Sequence, residues 1–344
     1  MALQAGIVGA GRVGFRRASR LEAYPDVNIA AVADPNRPAR DAFARRFGVR
    51  LAVSDHHRLA ADKMVDIVYI CSPPATHSAI AIDSLKSGKH VICEPPIAVT
   101  MKQADGMMAA AETANRRLLV ALPQRYDPVN REAARIIDAG EIGYPFLALA
   151  SCLRNEFDRL NDWHDWKGTW DMAGGGVLML WGTELIDLLQ YFLGQVGAVG
   201  AVCTRFAIEP LAKAEDSCLL GLEFVEDVAA ELSLTGAARY STWPEEYRGF
   251  AMRVEIYGLD GSIQIADSQP RLTVVTKRGR RREIADSEIK TDLPTDMDRD
   301  FLDCILEDKE PLVGPENARE ALRVILAAYK ASQMKRRVET LEEL

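Results

Sequence analysis

Residues 1–125 alternate between short, almost continuously apolar runs and stretches with helical spacing. The apolar runs lie at 5–9, 27–33, 65–71, 90–93 and 117–122, with a shorter one at 49–53. Between them, helical patterns run over 39–47 and 78–87. Short apolar strands alternating with helices predict a parallel, doubly wound α/β sheet with right-handed crossovers. Ligands of such sheets bind beyond the C-terminal strand ends, at the switch point. The first glycine turn, Asp34, Cys71-Ser72-Pro73-Pro74 and Glu94 all fall at such ends. They are expected to converge on one cleft.

The pattern changes at Pro123 and Pro128. A helix over 128–139 leads through Gly140 to a strand at 145–152, and a long polar-aromatic loop spans 153–176. A glycine-initiated helix over 177–192 follows, then strand-like runs at 199–206, 217–224, 229–235, 251–257, 262–266 and 272–277. Gly258-Leu259-Asp260-Gly261 reads as a hairpin turn. Helices at 298–306 and 315–335 close the chain. The expected organisation is a Rossmann domain at 1–125 and, at 126–344, an α+β domain with a large open, mostly antiparallel sheet. The open face carries apolar residues and needs covering, which predicts a homodimer or homotetramer through that face.

The first strand runs into Gly9-Ala10-Gly11-Arg12-Val13-Gly14. In a dinucleotide site Gly9 permits the tight turn, Gly11 lets the backbone approach a pyrophosphate, and Gly14 lets the helix pack close to the strand. The N–H groups of the helix start, at Arg12, Val13 and Gly14, then face the phosphates. Asp34 ends the second strand, placed to hydrogen-bond the adenosine ribose hydroxyls. Its charge disfavours a 2′-phosphate, so NAD is the expected cofactor. Arg37 keeps NADP open, because it could fold over a 2′-phosphate or stack on adenine. Cys71, Ser72 and Pro73 are further cofactor-side positions. His77 belongs with them, or else caps or orients the helix that starts at Ser78. Gln124 either approaches the carboxamide or is a core-edge amide.

The 344 residues carry a net charge of −8 and 48% apolar content. No basic stripe stands out, which argues against a nucleic-acid partner. The run Lys277 to Arg282 reads as a solvated turn between edge strands. No leader-like stretch and no apolar run of membrane-spanning length is read, and the six cysteines lack paired spacing, so a reduced, cytoplasmic protein is expected. No metal is expected. The five histidines lack ligand spacing, and His56-His57 beside Asp55 reads as a capped loop ahead of the alternative, a metal site.

The order of motifs resembles the Gfo/Idh/MocA oxidoreductases, the glucose–fructose oxidoreductase and inositol dehydrogenase family, over nearly the whole chain. It runs GIVGAGRVG (6–14), CSPPATH (71–77), GKHVICEPP (88–96), QRYDP (124–128), DAGEIGYP (138–145), GGGVLMLWGTELIDLLQYFLG (174–194), YGLDGSIQI (257–265) and EDKEPLVGPENAREAL (307–322). The resemblance implies a substrate between the nicotinamide and the open-sheet domain, and a contact from Glu94 to the nicotinamide ribose. It also exposes departures. The family's Glu-Lys-Pro is here Glu94-Pro95-Pro96, and its helical Asp and His positions hold Leu180 and Glu184. Asp187 still matches.

Oxidising an alcohol needs a base for the hydroxyl proton, and neither Pro95 nor Leu180 supplies one. Glu184 is the first substitute, with a structural or substrate-hydroxyl-accepting carboxylate as the competing reading. His164 and Lys167, in the loop Asn161 to Lys167, are the second, with a solvent-facing or purely binding role as the competing reading, and Tyr126 is the third. Arg125 and Tyr126 are read as structural, and Arg154, Arg159 and Lys167 hint at an anionic group or at surface ion pairs. The expected function is hydride transfer between NAD(P) and a sugar, cyclitol or related polyhydroxy substrate. Two alternatives stay open: an enzyme that retains NAD and oxidises transiently, as a glycosidase or epimerase does, and a non-catalytic dinucleotide-binding sensor.

Overall fold

The computed structural model describes residues 2–160, 162, 165–206, 214–238, 251–267, 271–277, 279–291 and 293–341. In chain order the elements begin β1 (Leu3–Val8), α1 (Arg12–Leu21), β2 (Val27–Ala33), α2 (Arg37–Phe47), β3 (Leu51–Val53), α3 (His56–Ala60), β4 (Ile67–Ile70), α4 (His77–Lys86), β5 (His90–Cys93), α5 (Met101–Ala114) and β6 (Leu118–Val120). They continue with α6 (Pro128–Asp138), β7 (Pro145–Leu153), α7 (Phe157–Leu160), α8 (Trp170–Ala173), α9 (Val177–Leu193), β8 (Val196–Thr204), β9 (Ser217–Phe224), β10 (Ala229–Thr235), β11 (Ala251–Gly258), β12 (Gly261–Ala266), β13 (Leu272–Thr276), β14 (Arg280–Ile284), α10 (Met297–Leu306), α11 (Pro315–Met334) and β15 (Val338–Glu339).

The chain divides into two compact units, 1–121 with 296–319, and 122–295 with 320–344. The boundary expected after 125 left every later residue in the second domain. The contacts instead give α10 to the first unit. Helix α10 buries Phe301 and Leu302, and its fully buried Asp298 accepts hydrogen bonds from Arg17 of α1 at 2.9 and 3.0 Å.

In the first unit, six parallel strands run in the order β3-β2-β1-β4-β5-β6. Every residue of β4 is buried, as a parallel strand covered on both faces requires. The chain leaves β1 toward β2 on one side and returns to β4 on the other, so the switch point lies between β1 and β4. Helix starts follow local chemistry. Asn36 caps α2 by accepting from Ala39 N at 3.1 Å, and Asp55 caps α3 by accepting from His57 N at 3.0 Å.

The second unit carries nine strands in the order β14-β13-β12-β11-β7-β10-β9-β8-β15. All pairings are antiparallel except β7 with β10. One face packs on α9, with Ala148, Ala150, Leu220, Leu232 and Leu234 buried. The other side chains alternate outward, and β9 reads buried-exposed along most of its length. Arg280–Ile284, expected largely as turn, forms the edge strand β14, a run of mostly exposed side chains with no apolar alternation to announce it.

One apolar stretch does reach membrane-spanning length, contrary to expectation. Trp170–Leu193 passes by length and composition, and 78% of its apolar window is buried inside the protein. Its hydrophobicity is used in the core. At its start, Glu215 accepts from Gly176 N at 2.7 Å and Leu178 N at 3.0 Å, and from the Tyr329 hydroxyl at 2.8 Å.

Candidate functional site

The parallel ladder carries four strand ends to one edge of the first unit. Gly9 N donates to Ala33 O (2.9 Å), Cys71 N to Val8 O (2.8 Å), and Glu94 N to Ile70 O (3.0 Å). Gly9, Asp34, the Cys71-Ser72-Pro73 turn and Glu94-Pro95 therefore emerge side by side.

Gly9 has φ +103°, and a Cβ there would lie 2.6 Å from Cys71 O. A Cβ on Gly14 would lie 2.0 Å from Gly9 O. Both positions are closed to any side chain. Gly11 differs: a Cβ there meets nothing within 4 Å. No side chain caps α1 at Gly11, and the helix makes its first bond from Phe15 N to Gly11 O. An uncapped helix start facing open space is an anion cradle. Val13 is half-buried and Arg12 exposed at this start.

Asp34 is held by its own loop. Oδ2 accepts from Ala10 N at 2.6 Å and Oδ1 from Asn36 N at 2.7 Å, while Arg40 donates to its carbonyl at 2.7 Å. The carboxylate is thereby tied to the glycine turn. Arg37 stands 81% exposed and pairs with Asp41 at 3.5 Å.

His77 is buried, with Nδ1 2.9 Å from Pro96 O and Nε2 2.8 Å from Ser72 O. It fastens the β4 turn to the β5 turn and does not cap α4. Burial lowers its pKa, against the pull of the two carbonyls. Ser72 Oγ lies 2.7 Å from Thr76 Oγ1. The Pro95-Pro96 bond is cis.

Glu94 has a partner that sequence reasoning missed. The Arg17 guanidinium reaches Glu94 Oε1 with Nε at 2.9 Å and with Nη2. Arg17 is buried, and that burial opposes its charge. Glu94 and then Asp298 outweigh it, holding its pKa above the ordinary arginine value. Cys71 lies beside this pair, and burial pushes its thiol pKa up, with Glu94 adding to the effect. It is no ready nucleophile.

In the second unit, Arg125 grips buried Asp187 through two bonds, Nε to Oδ2 at 2.8 Å and Nη2 to Oδ1 at 2.7 Å, and stacks 4.5 Å over Tyr191. Gln124 falls in this unit, and Asn130 Nδ2 donates to its Oε1 at 3.0 Å. Helix α9 is buried nearly all round. Its half-buried positions are Leu180, Glu184, Gln190 and Tyr191, so Leu180 and Glu184 share one open stripe at i, i+4 spacing. Lys167 is 12% exposed and pairs with Glu156 at 3.2 Å. Arg159 bonds Asp165 at 2.7 Å, so these loop cations are engaged with neighbouring acids. His164 lies outside the described residues.

Residues 3–122 match an oxidoreductase family described by its NAD-binding Rossmann fold, and residues 134–340 match that family's C-terminal alpha/beta domain. The chain belongs to the Gfo/Idh/MocA oxidoreductases. Among relatives in this family, a myo-inositol 2-dehydrogenase of Thermotoga maritima is 27% identical over 99% of both chains. An inositol 2-dehydrogenase of Burkholderia vietnamiensis is 30% identical over 85% of this chain and 80% of its own. A levoglucosan dehydrogenase solved with NADH shares the fold, with a TM-score of 0.87 and 23% identity over the whole of both chains. The Gfo/Idh/MocA Rossmann domain binds NAD. The uncapped α1 start and the open space at Gly11 fit the pyrophosphate of that cofactor.

Proposed function

We propose that the protein is an NAD-dependent dehydrogenase of a sugar, cyclitol or related polyhydroxy compound. The observation that carries this reading is the glycine turn with Asp34 bonded to it, in a family whose relatives here are named for inositol. Gly9, Gly11 and the N–H groups of Arg12, Val13 and Gly14 would hold the pyrophosphate, and Asp34 the adenosine ribose. Arg37, Cys71, Ser72, Pro73, His77, Pro95 and Gln124 complete the proposed cofactor set. Glu94, oriented by Arg17, would meet the second ribose. Asp34 repels a 2′-phosphate, which favours NAD over NADP. When bound, the nicotinamide supplies the hydride acceptor or donor.

The proton remains for the protein. Pro95 and Leu180 have nothing to donate or accept. Lys167 is committed to an ion pair with Glu156 at 3.2 Å. Glu184, on the open stripe of α9, is therefore the proposed acid–base group. The test has two stages. Titration with NADH is followed by nicotinamide fluorescence, and absence of binding refutes the dehydrogenase reading. Turnover on inositols and levoglucosan is then compared for Glu184→Gln. General-base loss lowers kcat about 10²–10⁴-fold with NADH affinity unchanged. Unchanged turnover removes Glu184 from the mechanism and leaves the cofactor assignment standing.

We also propose a homodimer or homotetramer through the outward sheet face. Val202 and Leu219 are cross-strand neighbours there, 59% and 49% exposed. Gly200 and Gly221 form the next pair of that face, and a Cβ on either meets nothing within 4 Å. Flat apolar strips of this kind suit another sheet. Light scattering at micromolar concentration should show no monomer; a monomer alone would overturn the assembly.

A further inference from the structure

Two histidine rings lie stacked on the first unit, away from the glycine turn in the sequence. His56 and His57 start α3 with ring centroids 4.0 Å apart. Each ring is flanked by the same two carboxylates. On the Nε2 side, Asp83 Oδ2 of α4 lies 3.1 Å from His56 and 3.2 Å from His57. On the Nδ1 side, Asp55 Oδ1 lies 2.7 Å from His57 and 3.6 Å from His56. Two imidazoles and two carboxylates are thus gathered on one patch of the first unit.

We propose that His56 Nε2, His57 Nε2 and Asp83 Oδ2 form a site for a divalent transition-metal ion of the zinc type, with Asp55 as the outer carboxylate that accepts from His57 Nδ1. The two distances from Asp83 to the ring nitrogens suit that role. Metal–nitrogen and metal–oxygen bonds near 2.0–2.1 Å in a tetrahedral site put neighbouring ligand atoms about 3.3 Å apart. The Asp83–His separations of 3.1 and 3.2 Å are close to this. Ligating histidines characteristically give their second ring nitrogen to a carboxylate, which fixes the ring and its tautomer. Asp55 stands in that position and is itself fixed by accepting from His57 N. His57 is 64% exposed, so water has room to complete the coordination shell. Imidazole with carboxylate favours zinc, copper or nickel over magnesium or calcium. The ion would clamp α3 to α4.

The test is a cobalt(II) titration of the full chain without a polyhistidine tag, followed by displacement with zinc. The expected result is one ion per chain, a ligand-field band, and a thermal midpoint that rises with zinc by mass action. Asp83→Asn and His56→Gln should each lower affinity at least tenfold while leaving NADH binding intact, which shows that the variants are folded. Absence of a ligand-field band overturns the proposal. So does one-to-one binding that is unchanged in both variants.

Discussion

Arg17→Met should be costly to the first unit, and the structure says how costly. Arg17 spends Nε and Nη2 on Glu94 and Nη1 on both oxygens of Asp298. Asp298 is 0% exposed. Its remaining cation is Arg20, at 3.2 Å and half exposed, where solvent screens the attraction. Removing one partner of a buried pair costs about 3–5 kcal/mol, because a charge is left in low dielectric. In a domain of this size that lowers the thermal midpoint by roughly 10–15 °C. The pH dependence carries the sign. Burial already raises the Asp298 pKa, against Arg17, and removing Arg17 raises it further. A carboxyl whose folded pKa lies above its unfolded value stabilises fully below the unfolded pKa and loses that stability as pH rises through the folded pKa. The deficit of Arg17→Met should thus be small near pH 4 and largest near neutrality. The assay is urea unfolding of wild type and variant from pH 4 to 7.5, with NADH titration beside it. Arg17→Met/Asp298→Leu should recover most of the loss in stability, since an apolar pair of similar volume is tolerated where a lone charge is not. NADH affinity should stay low in both variants, because Glu94 has lost its orienting donors. A deficit under about 1 kcal/mol with no pH dependence would refute the account, since it would mean the buried pair contributes no more than a surface one.

Glu215→Ala should destabilise the second unit, because it strands two backbone N–H groups at the start of α9 and the Tyr329 hydroxyl; at about 1–3 kcal/mol for each buried orphan, the loss is at least about 3 kcal/mol. Thermal denaturation checks it, and a shift no larger than that of a surface substitution would contradict it. His90 behaves differently: burial, then Arg116 and Arg117, push its pKa down to about 4. A depressed folded pKa gives stability that is present above the ordinary histidine value and lost as pH falls toward the folded one. His90→Gln should flatten the stability profile between pH 6.5 and 4, measured as denaturation midpoints across that window, and an unchanged acid limb would show that His90 does not contribute to it.

Hydrophobic periodicity was enough to read β4 and the C-terminal part of β2, because a strand buried on both faces leaves a continuous apolar run. The turn at Gly9 was equally legible, since φ +103° beside Cys71 O admits only glycine. Buried charges were not legible. Arg17 sits in α1 among Arg12, Arg16 and Arg20, and nothing local separates it from a solvated basic face. What buries it is a pair of acids 77 and 281 positions away. Asp83 likewise stands 27 residues from His56, so the sequence offered His-His beside one acid and a capped loop was the natural reading. The same distinction explains α10. An amphipathic helix announces that one face is buried, not which unit buries it, and the partners that show it, Arg17 and Arg20 on Asp298 and Asp26 on Arg299, are distant in sequence. Charged side chains enter a protein interior with a partner, and tertiary contact chooses the partner. That bears directly on the substitution at Pro95. The family's lysine would have placed a cation next to Glu94 along the chain. Here the cation on Glu94 comes from inside α1 and is committed also to Asp298, a pairing that tertiary contact and not the local sequence supplies. Under the proposed dehydrogenase reading the proton is handled by another residue, and Glu184, half-buried on α9, is the one we propose for it.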